Sequence, residues 1–162
     1  MSNLSKINGK MPQRRYIIKG YTLETRVELE TAHRLYATDT YSEECRENVH
    51  GHSYKVTFIV GCKKLNKAGM VCDFKLLKKV LKESIEQPYD HSIILRECDP
   101  LADAMSKNCK KVHIVKENPT AEWMSKFYFD LANKVFKKEK LGIFCVECRV
   151  QETEHNIAIY SE

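Results

Sequence analysis

Nowhere in the 162 residues does an apolar run approach the length needed to cross a bilayer. The first twenty residues are polar and basic and lack the apolar core of a secretory signal, so the chain is expected to sit in the cytoplasm, away from membranes. Paired cysteines are not expected either. The seven cysteines, at 45, 62, 72, 98, 109, 145 and 148, are odd in number and read as reduced thiols. Cys145-x-x-Cys148 has half the spacing of a zinc ribbon, but there is no second Cys-x-x-Cys, and its members have opposite parity in a strand-like run. That pair reads as structural. A concentrated charge is missing as well. Lys and Arg total 27 against 22 Asp and Glu, and the net of +5 is scattered over pairs such as Lys63-Lys64, Lys78-Lys79 and Lys137-Lys138. A nucleic-acid binder more often gathers its charge on one helix or stripe with interleaved aromatics. No nucleic acid is expected; an anionic small substrate suits the surplus.

What remains is an ordinary globular composition, 43% hydrophobic and 30% charged, long enough to bury a core without disulfide or metal staples. Residues 1–14 read as a flexible leader and 15–162 as one domain. From about 16 to 33 an alternation predicts a long strand: Leu23, Thr25, Val27, Leu29, Thr31 and His33 on one face, Glu24, Arg26, Glu28 and Glu30 on the other. Residues 52–62 repeat the pattern with His52, Tyr54, Val56, Phe58 and Val60, and the two runs are expected to pair antiparallel with one solvated face. Asp73 is placed to cap a helix whose stripe Phe74, Leu77, Val80, Leu81 and Ile85 runs to about Gln87, where Pro88 is expected to stop it. Residues 100–107 have room for a helical turn or two, and Val112–Val115 for a short strand. Asn118 as N-cap and Pro119 as first residue predict a second long helix, with Trp123, Met124, Phe127, Leu131 and Val135 inward, to about Lys138. Phe144, Val146, Cys148, Val150 and Glu152 then share a strand face, and Ile157, Ile159 and Tyr160 close the chain after a turn at 153–156. The order is two strands, two helices, two strands.

One short stretch, Cys45 to His52, organises the chemistry. Side chains two apart in a strand project the same way, so His50 and His52 can aim at one point, and His33 joins them if the strands pair. Three imidazoles with a position left open is the donor set of a catalytic zinc, although a His-x-His pair also occurs as two hydrogen-bonded strand histidines. Glu152, on an apolar strand face, needs a partner when buried. Backbone amides of a turn would serve, and so would the two parallel N–H groups of an amidine-like ligand edge such as an aminopterin ring offers.

The Thr-Ala-His strand end, His50-Gly51-His52-Ser53-Tyr54, Gly69 to Phe74, Asp90-His91, Asn118 to Glu122 and Gln151-Glu152-Thr153 occur in that order. Together they resemble the 6-pyruvoyltetrahydropterin synthase and 6-carboxytetrahydropterin synthase family over about residues 20–160. The resemblance implies an α+β tunnelling fold, ββααββ, in which an antiparallel sheet has two helices on one face and oligomerisation closes the sheets into a barrel, giving a trimer or hexamer. It implies Zn2+ on His33, His50 and His52, and 7,8-dihydroneopterin triphosphate as substrate. Glu152 would anchor the pterin, helped by Thr120 and Glu122, and Cys45 would accept the proton. Asp90 and His91 would assist from a neighbouring subunit.

One spacing departs from the pattern. The family's cysteine stands four or six residues before the first histidine of His-Gly-His, and Cys45 stands five before His50. Glu47, three before it, resembles the branch that uses a glutamate as base and makes 6-hydroxymethyl-dihydropterin for folate. Cys45 is the expected base and Glu47 the alternative. Of the products, the length and the Asn-Pro-Thr-Ala-Glu segment look closer to the 6-carboxytetrahydropterin synthase of queuosine biosynthesis than to the tetrahydrobiopterin enzyme. Outside enzymes, a non-catalytic pterin- or zinc-binding oligomer would share the fold.

Overall fold

The alternation of Thr25, Val27, Leu29, Thr31 and His33 against outward charges produces strand β1, Thr22–His33, in the computed structural model, which describes residues 20–37 and 42–162. The expected leader, and the part of the first strand predicted before residue 20, lie outside the described residues. A five-residue helix, α1 (Glu43–Glu47), precedes β2 (His50–Cys62), which runs antiparallel to β1 from Thr22 opposite Gly61 to His33 opposite His50. Asp73 caps α2 (Phe74–Leu81) as expected, its carboxylate accepting from the N–H groups of Lys75 at 2.7 Å and Leu76 at 3.2 Å.

Pro88 does not stop this helix. The chain widens into a π-helical stretch, Lys82–Glu86, and continues as one more α-turn, α3 (Gln87–Tyr89). Proline lacks an N–H and is tolerated where a helical turn begins. Restarting the turn after the wide stretch gives Pro88 such a place, and the helical path ends instead at Asp90, whose N–H reaches Glu86 O at 2.8 Å.

The middle of the chain adds one unexpected strand, Ser92–Arg96, to the expected short helix near 100–107 and short strand at Val112–Val115, and both short strands join the sheet. β3 (Ser92–Arg96) lies parallel to β1, α4 (Leu101–Asn108) follows, and β4 (Val112–Val115) lies parallel to β3. Next come α5 (Ala121–Lys138), β5 (Ile143–Gln151) and β6 (Ile157–Ser161), giving one mixed sheet of order β4-β3-β1-β2-β5-β6. The sheet is therefore antiparallel only through β1, β2, β5 and β6. Leu77, Leu81 and Ile85 from one helical path and Met124, Tyr128, Ala132 and Phe136 from α5 pack on Val56, Phe58, Val60, Cys148 and Val150, so the long helices cover one face and leave the other to Glu24, Glu28 and Glu30.

Two further expectations change at the residue level. Thr120, not Asn118, caps α5: its Oγ1 accepts the Trp123 N–H at 3.2 Å, and Pro119 falls before the helix. In β5 a register shift opposite Ile59 and Val60 makes Cys145 and Val146 both buried and turns Phe144 to the half-buried side. The bulge cancels the opposite parity of Cys145 and Cys148. Both thiols end in the core, where burial pushes Cys145 up to about 12 and Cys148 higher still. They are structural, as their sequence context implied.

Candidate metal centre

The β1–β2 register gathers three imidazoles at one end of the sheet. His33 stands opposite His50, Thr31 stands opposite His52, and the parity of each strand turns all three rings to the core-bearing face. The ring centroids are 4.5 Å apart for His33–His50, 5.3 Å for His33–His52 and 5.1 Å for His50–His52. One ring nitrogen from each falls within 4.8 Å of the others.

Two of the rings are oriented from behind. A carbonyl can only accept, so His33 Nδ1–H donates to Pro119 O at 2.7 Å and His50 Nδ1–H donates to Asn48 O at 3.1 Å. Each ring then presents Nε2 as a lone pair, which is how backbone partners prepare an imidazole for a metal. Burial pushes His33 down to about 4, against the Pro119 hydrogen bond and the Glu152 carboxylate, which favour the charged form. Burial also lowers His52, with Glu152 opposing. His33 is thus neutral near pH 7 and free to donate its lone pair. The donor set fits a metal ion.

Tyr54 joins this cluster to a carboxylate. Its hydroxyl lies 3.1 Å from His33 Nε2 and donates to Glu152 Oε1 at 3.1 Å. A phenol has one proton to give, so occupation of Nε2 by a metal leaves that proton with Glu152. Burial, then the Glu152 charge, raise the Tyr54 phenol far above its ordinary value, keeping it protonated. The same Glu152 oxygen lies 3.7 Å from Nε2 of both His33 and His52. Glu152 sits just past β5 with its N–H held by Asn156 O at 3.0 Å, and its side chain is 25% exposed. It is half-buried rather than buried as its strand parity suggested. Its open side faces a cleft of about 490 Å³ that His33, Leu35, Thr120, Glu122, Glu152 and His155 help to line. Thr120 and Glu122 therefore share one cavity with Glu152 and His33.

Cys45 is half-buried in α1. Its carbonyl accepts the Leu35 N–H at 3.0 Å, and Leu35 in turn lines the cleft with His33 and Glu152. Glu47, one helical step on, is turned to Arg46 at 3.1 Å with 60% of its side chain exposed. Asp90 and His91 are brought elsewhere. The backbone of Glu30, on the solvated face of β1, donates to Asp90 Oδ1 at 2.9 Å and accepts from the His91 N–H at 2.8 Å. Asp90 is held below its ordinary range: burial pushes it up, and the Glu30 N–H, His91 and Lys111 outweigh that. His91 takes a left-handed backbone, φ 55°, places Nδ1 2.8 Å from Asp90 Oδ2, and lines a second cleft of about 410 Å³ with Glu30, Gly51, His52 and Ser53.

Sequence reading missed Tyr54 as a site residue, together with the Pro119 and Asn48 carbonyls and His155. Tyr54 carried a signal, since it continues the His50, His52 alternation by one step. The carbonyls carried none.

These features define a mixed α+β sheet protein with a three-histidine group able to hold a metal ion beside a carboxylate-lined cleft. The sequence profile of the 6-pyruvoyl tetrahydropterin synthase family matches residues 22–162, and the chain belongs to that family. It is 33% identical over 132 residues to the 6-carboxy-5,6,7,8-tetrahydropterin synthase of Rickettsia felis, covering 79% of this chain and 91% of that one. It is 30% identical over 143 residues to the human 6-pyruvoyl tetrahydrobiopterin synthase, covering 83% and 87%. Its fold matches a Plasmodium vivax 6-pyruvoyltetrahydropterin synthase at TM-score 0.63 and 18% identity, over 88% of this chain and 98% of that one. Among the described residues no helix is long and apolar enough to cross a membrane.

Proposed function

We propose that the chain is a 6-carboxy-5,6,7,8-tetrahydropterin synthase, a zinc-dependent lyase acting on 7,8-dihydroneopterin triphosphate in queuosine biosynthesis. The observation that carries the reading is the convergence of His33, His50 and His52, with two Nε2 atoms freed by backbone carbonyls, beside Glu152 at the mouth of a 490 Å³ cleft. His33, His50 and His52 would hold the zinc, which when bound would supply Lewis acidity that makes a C–H of the substrate side chain more acidic.

The chain's own residues do the rest. Glu152 accepts two parallel N–H bonds from the aminopyrimidine edge of the pterin, while the Tyr54 hydroxyl fixes its Oε1. Thr120 and Glu122, across the same cleft, flank the ring. The Cys45 thiolate takes the C–H proton and the triphosphate leaves. To reach the carboxy product a water then adds to the remaining three-carbon side chain and its outer two carbons depart as acetaldehyde, whereas stopping before that cleavage gives the pyruvoyl pterin. Asp90 and His91, held on the solvated side of their own sheet, serve the site of a neighbouring copy. That role calls for a cytoplasmic homo-oligomer of three or six chains. The strand β6, an edge of the sheet among the described residues, exposes Ile157 and Ile159 and supports it, because such an edge with alternate isoleucines outward is suited to pairing with another strand.

The human relative keeps a second product in view, the pyruvoyl pterin. Incubation with 7,8-dihydroneopterin triphosphate and mass identification of the product tests both: 6-carboxytetrahydropterin is expected, a pyruvoyl product reassigns the activity, and an unconsumed substrate overturns the enzyme reading.

A further inference from the structure

Among the buried groups that this mechanism leaves unused is an ion pair beside the metal centre. Arg34 follows His33 directly, and its guanidinium forms a two-pronged contact with Asp99: Nε donates to Oδ2 at 2.8 Å, and Nη2 donates to Oδ1. Both residues are buried, with Arg34 9% and Asp99 3% exposed. Asp99 is itself held on several sides. Its Oδ1 accepts the Leu101 N–H at 2.8 Å, its carbonyl accepts the Ala102 N–H at 2.9 Å, and its own N–H donates to Arg96 O at 3.0 Å. The start of α4 is thereby built around the carboxylate that grips Arg34.

Arg34 stands between two residues of consequence. On one side is His33, a metal-centre imidazole; on the other is Leu35, whose N–H holds the Cys45 carbonyl at 3.0 Å. The Arg34 guanidinium also lies over the Tyr36 ring at 5.0 Å, and Arg96 reaches Ala37 O at 3.4 Å. The chain leaving β1 is thus fastened at two points, by Arg96 at the end of β3 and by Asp99 in the β3–α4 connection, and α1 is fastened to that chain. A desolvated pair of this kind is seldom a net source of stability compared with an apolar replacement, but it fixes geometry through two directional hydrogen bonds.

We infer that the Arg34–Asp99 pair is a positioning device that holds the Cys45 helix against the metal centre, a proposal that rests on the reading of Cys45 as proton acceptor. Neither residue lines the cleft beside Glu152. They act through Leu35, whose main-chain direction the Arg34 anchor sets.

The test uses the full-length, metal-loaded protein and follows turnover, metal content and alkylation of individual cysteines by iodoacetamide, located by mass spectrometry. Cys45 is half-buried, and Cys109, exposed beyond α4, serves as internal control. In Asp99→Asn and in Arg34→Lys, Cys45 should be alkylated about 5-fold faster or more as its helix loosens, with Cys109 unchanged. The kcat should fall about 10- to 100-fold, the usual penalty of displacing a catalytic group by about an ångström, with KM and metal content near those of the parent. If either variant fails to fold, Arg34→Met/Asp99→Leu removes the buried charge on both sides and should show the same loosening. Unchanged Cys45 alkylation and kcat in the folded variants would overturn the proposal, and so would loss of the metal in step with activity, which would make the pair a support of the whole centre. A Cys45→Ala enzyme with normal turnover would instead remove the proton-acceptor reading, and the alkylation result would still judge the pair as the anchor of α1.

Discussion

Tyr54 and Glu152, 98 residues apart in sequence, meet at 3.1 Å, the phenol of β2 donating to the carboxylate that follows β5. The bond ties the metal centre to the cleft, because the same hydroxyl lies against His33 Nε2. Tyr54→Phe keeps the ring in the core and deletes only the donor. A hydrogen bond to a charged group is worth about 1.5–3 kcal/mol, so the variant should weaken pterin binding by roughly 10- to 100-fold. Metal content should be unchanged. Titration with neopterin followed by ring fluorescence reads the first, and metal analysis of the same sample reads the second. Unaltered pterin affinity would show that Glu152 is oriented without Tyr54.

The metal itself gives the next expectation. His33, His50 and His52 each supply one nitrogen of a three-donor set, so loss of any one leaves too few ligands to hold the ion. About one zinc per chain should copurify with the parent, and His33→Ala, His50→Ala or His52→Ala should each reduce it to a trace. Stoichiometric zinc in any of the three would reject that residue as a ligand.

Acid should weaken the metal-free fold through His33. Its folded value of about 4 lies below its ordinary 6.5 because burial disfavours the charged ring. Above pH 6.5 both folded and unfolded chains carry it neutral, and it contributes nothing to the pH dependence. As pH falls from 6.5 toward 4, the unfolded chain binds a proton that the folded chain refuses, and stability drops by about 3 kcal/mol at 1.36 kcal/mol per unit. Urea midpoints of the apo protein at pH 7, 5.5 and 4 should fall accordingly, and His33→Gln should flatten the part of the slope owed to this ring. Parallel slopes for parent and variant would contradict the assignment.

What the sequence could and could not reveal follows from how each element is buried. β1 was legible because one face meets the core and the other meets water, so Val27 and Leu29 alternate with Glu28 and Glu30. β3 was not, because Ile93, Ile94 and Leu95 form a short apolar run next to two parallel neighbours and lack any alternation. The bulge at Cys145 and Val146 and the π-turn before Pro88 each insert a single-residue offset, and periodicity assumes there is none. The histidine centre was legible for the reason it exists: residues two apart on a strand share a face, and a pairing register does the rest. The main-chain carbonyls of Pro119 and Asn48 that aim those rings have no residue-type signature at all.

The proton acceptor has two candidates on α1, and their settings differ. Cys45 is half-buried and tied through its carbonyl to Leu35, which lines the cleft, whereas Glu47 is mostly exposed and paired with Arg46. A thiol takes a proton only as thiolate, and a centre holding a divalent cation favours the anion. Cys45→Ala should therefore lower kcat by about 10²- to 10⁴-fold, the usual size of a general acid–base contribution, while zinc and pterin still bind. Glu47→Gln, which keeps shape and removes charge, should change kcat by less than about 3-fold, since its present partner is a solvated arginine. The pH–rate profile should lose its thiol limb only in the cysteine variant. A nearly normal Cys45→Ala enzyme beside an inactive Glu47→Gln enzyme would reverse the roles. That result would require Glu47 to leave Arg46 and turn inward on substrate binding, and it would move the expected product to 6-hydroxymethyl-dihydropterin.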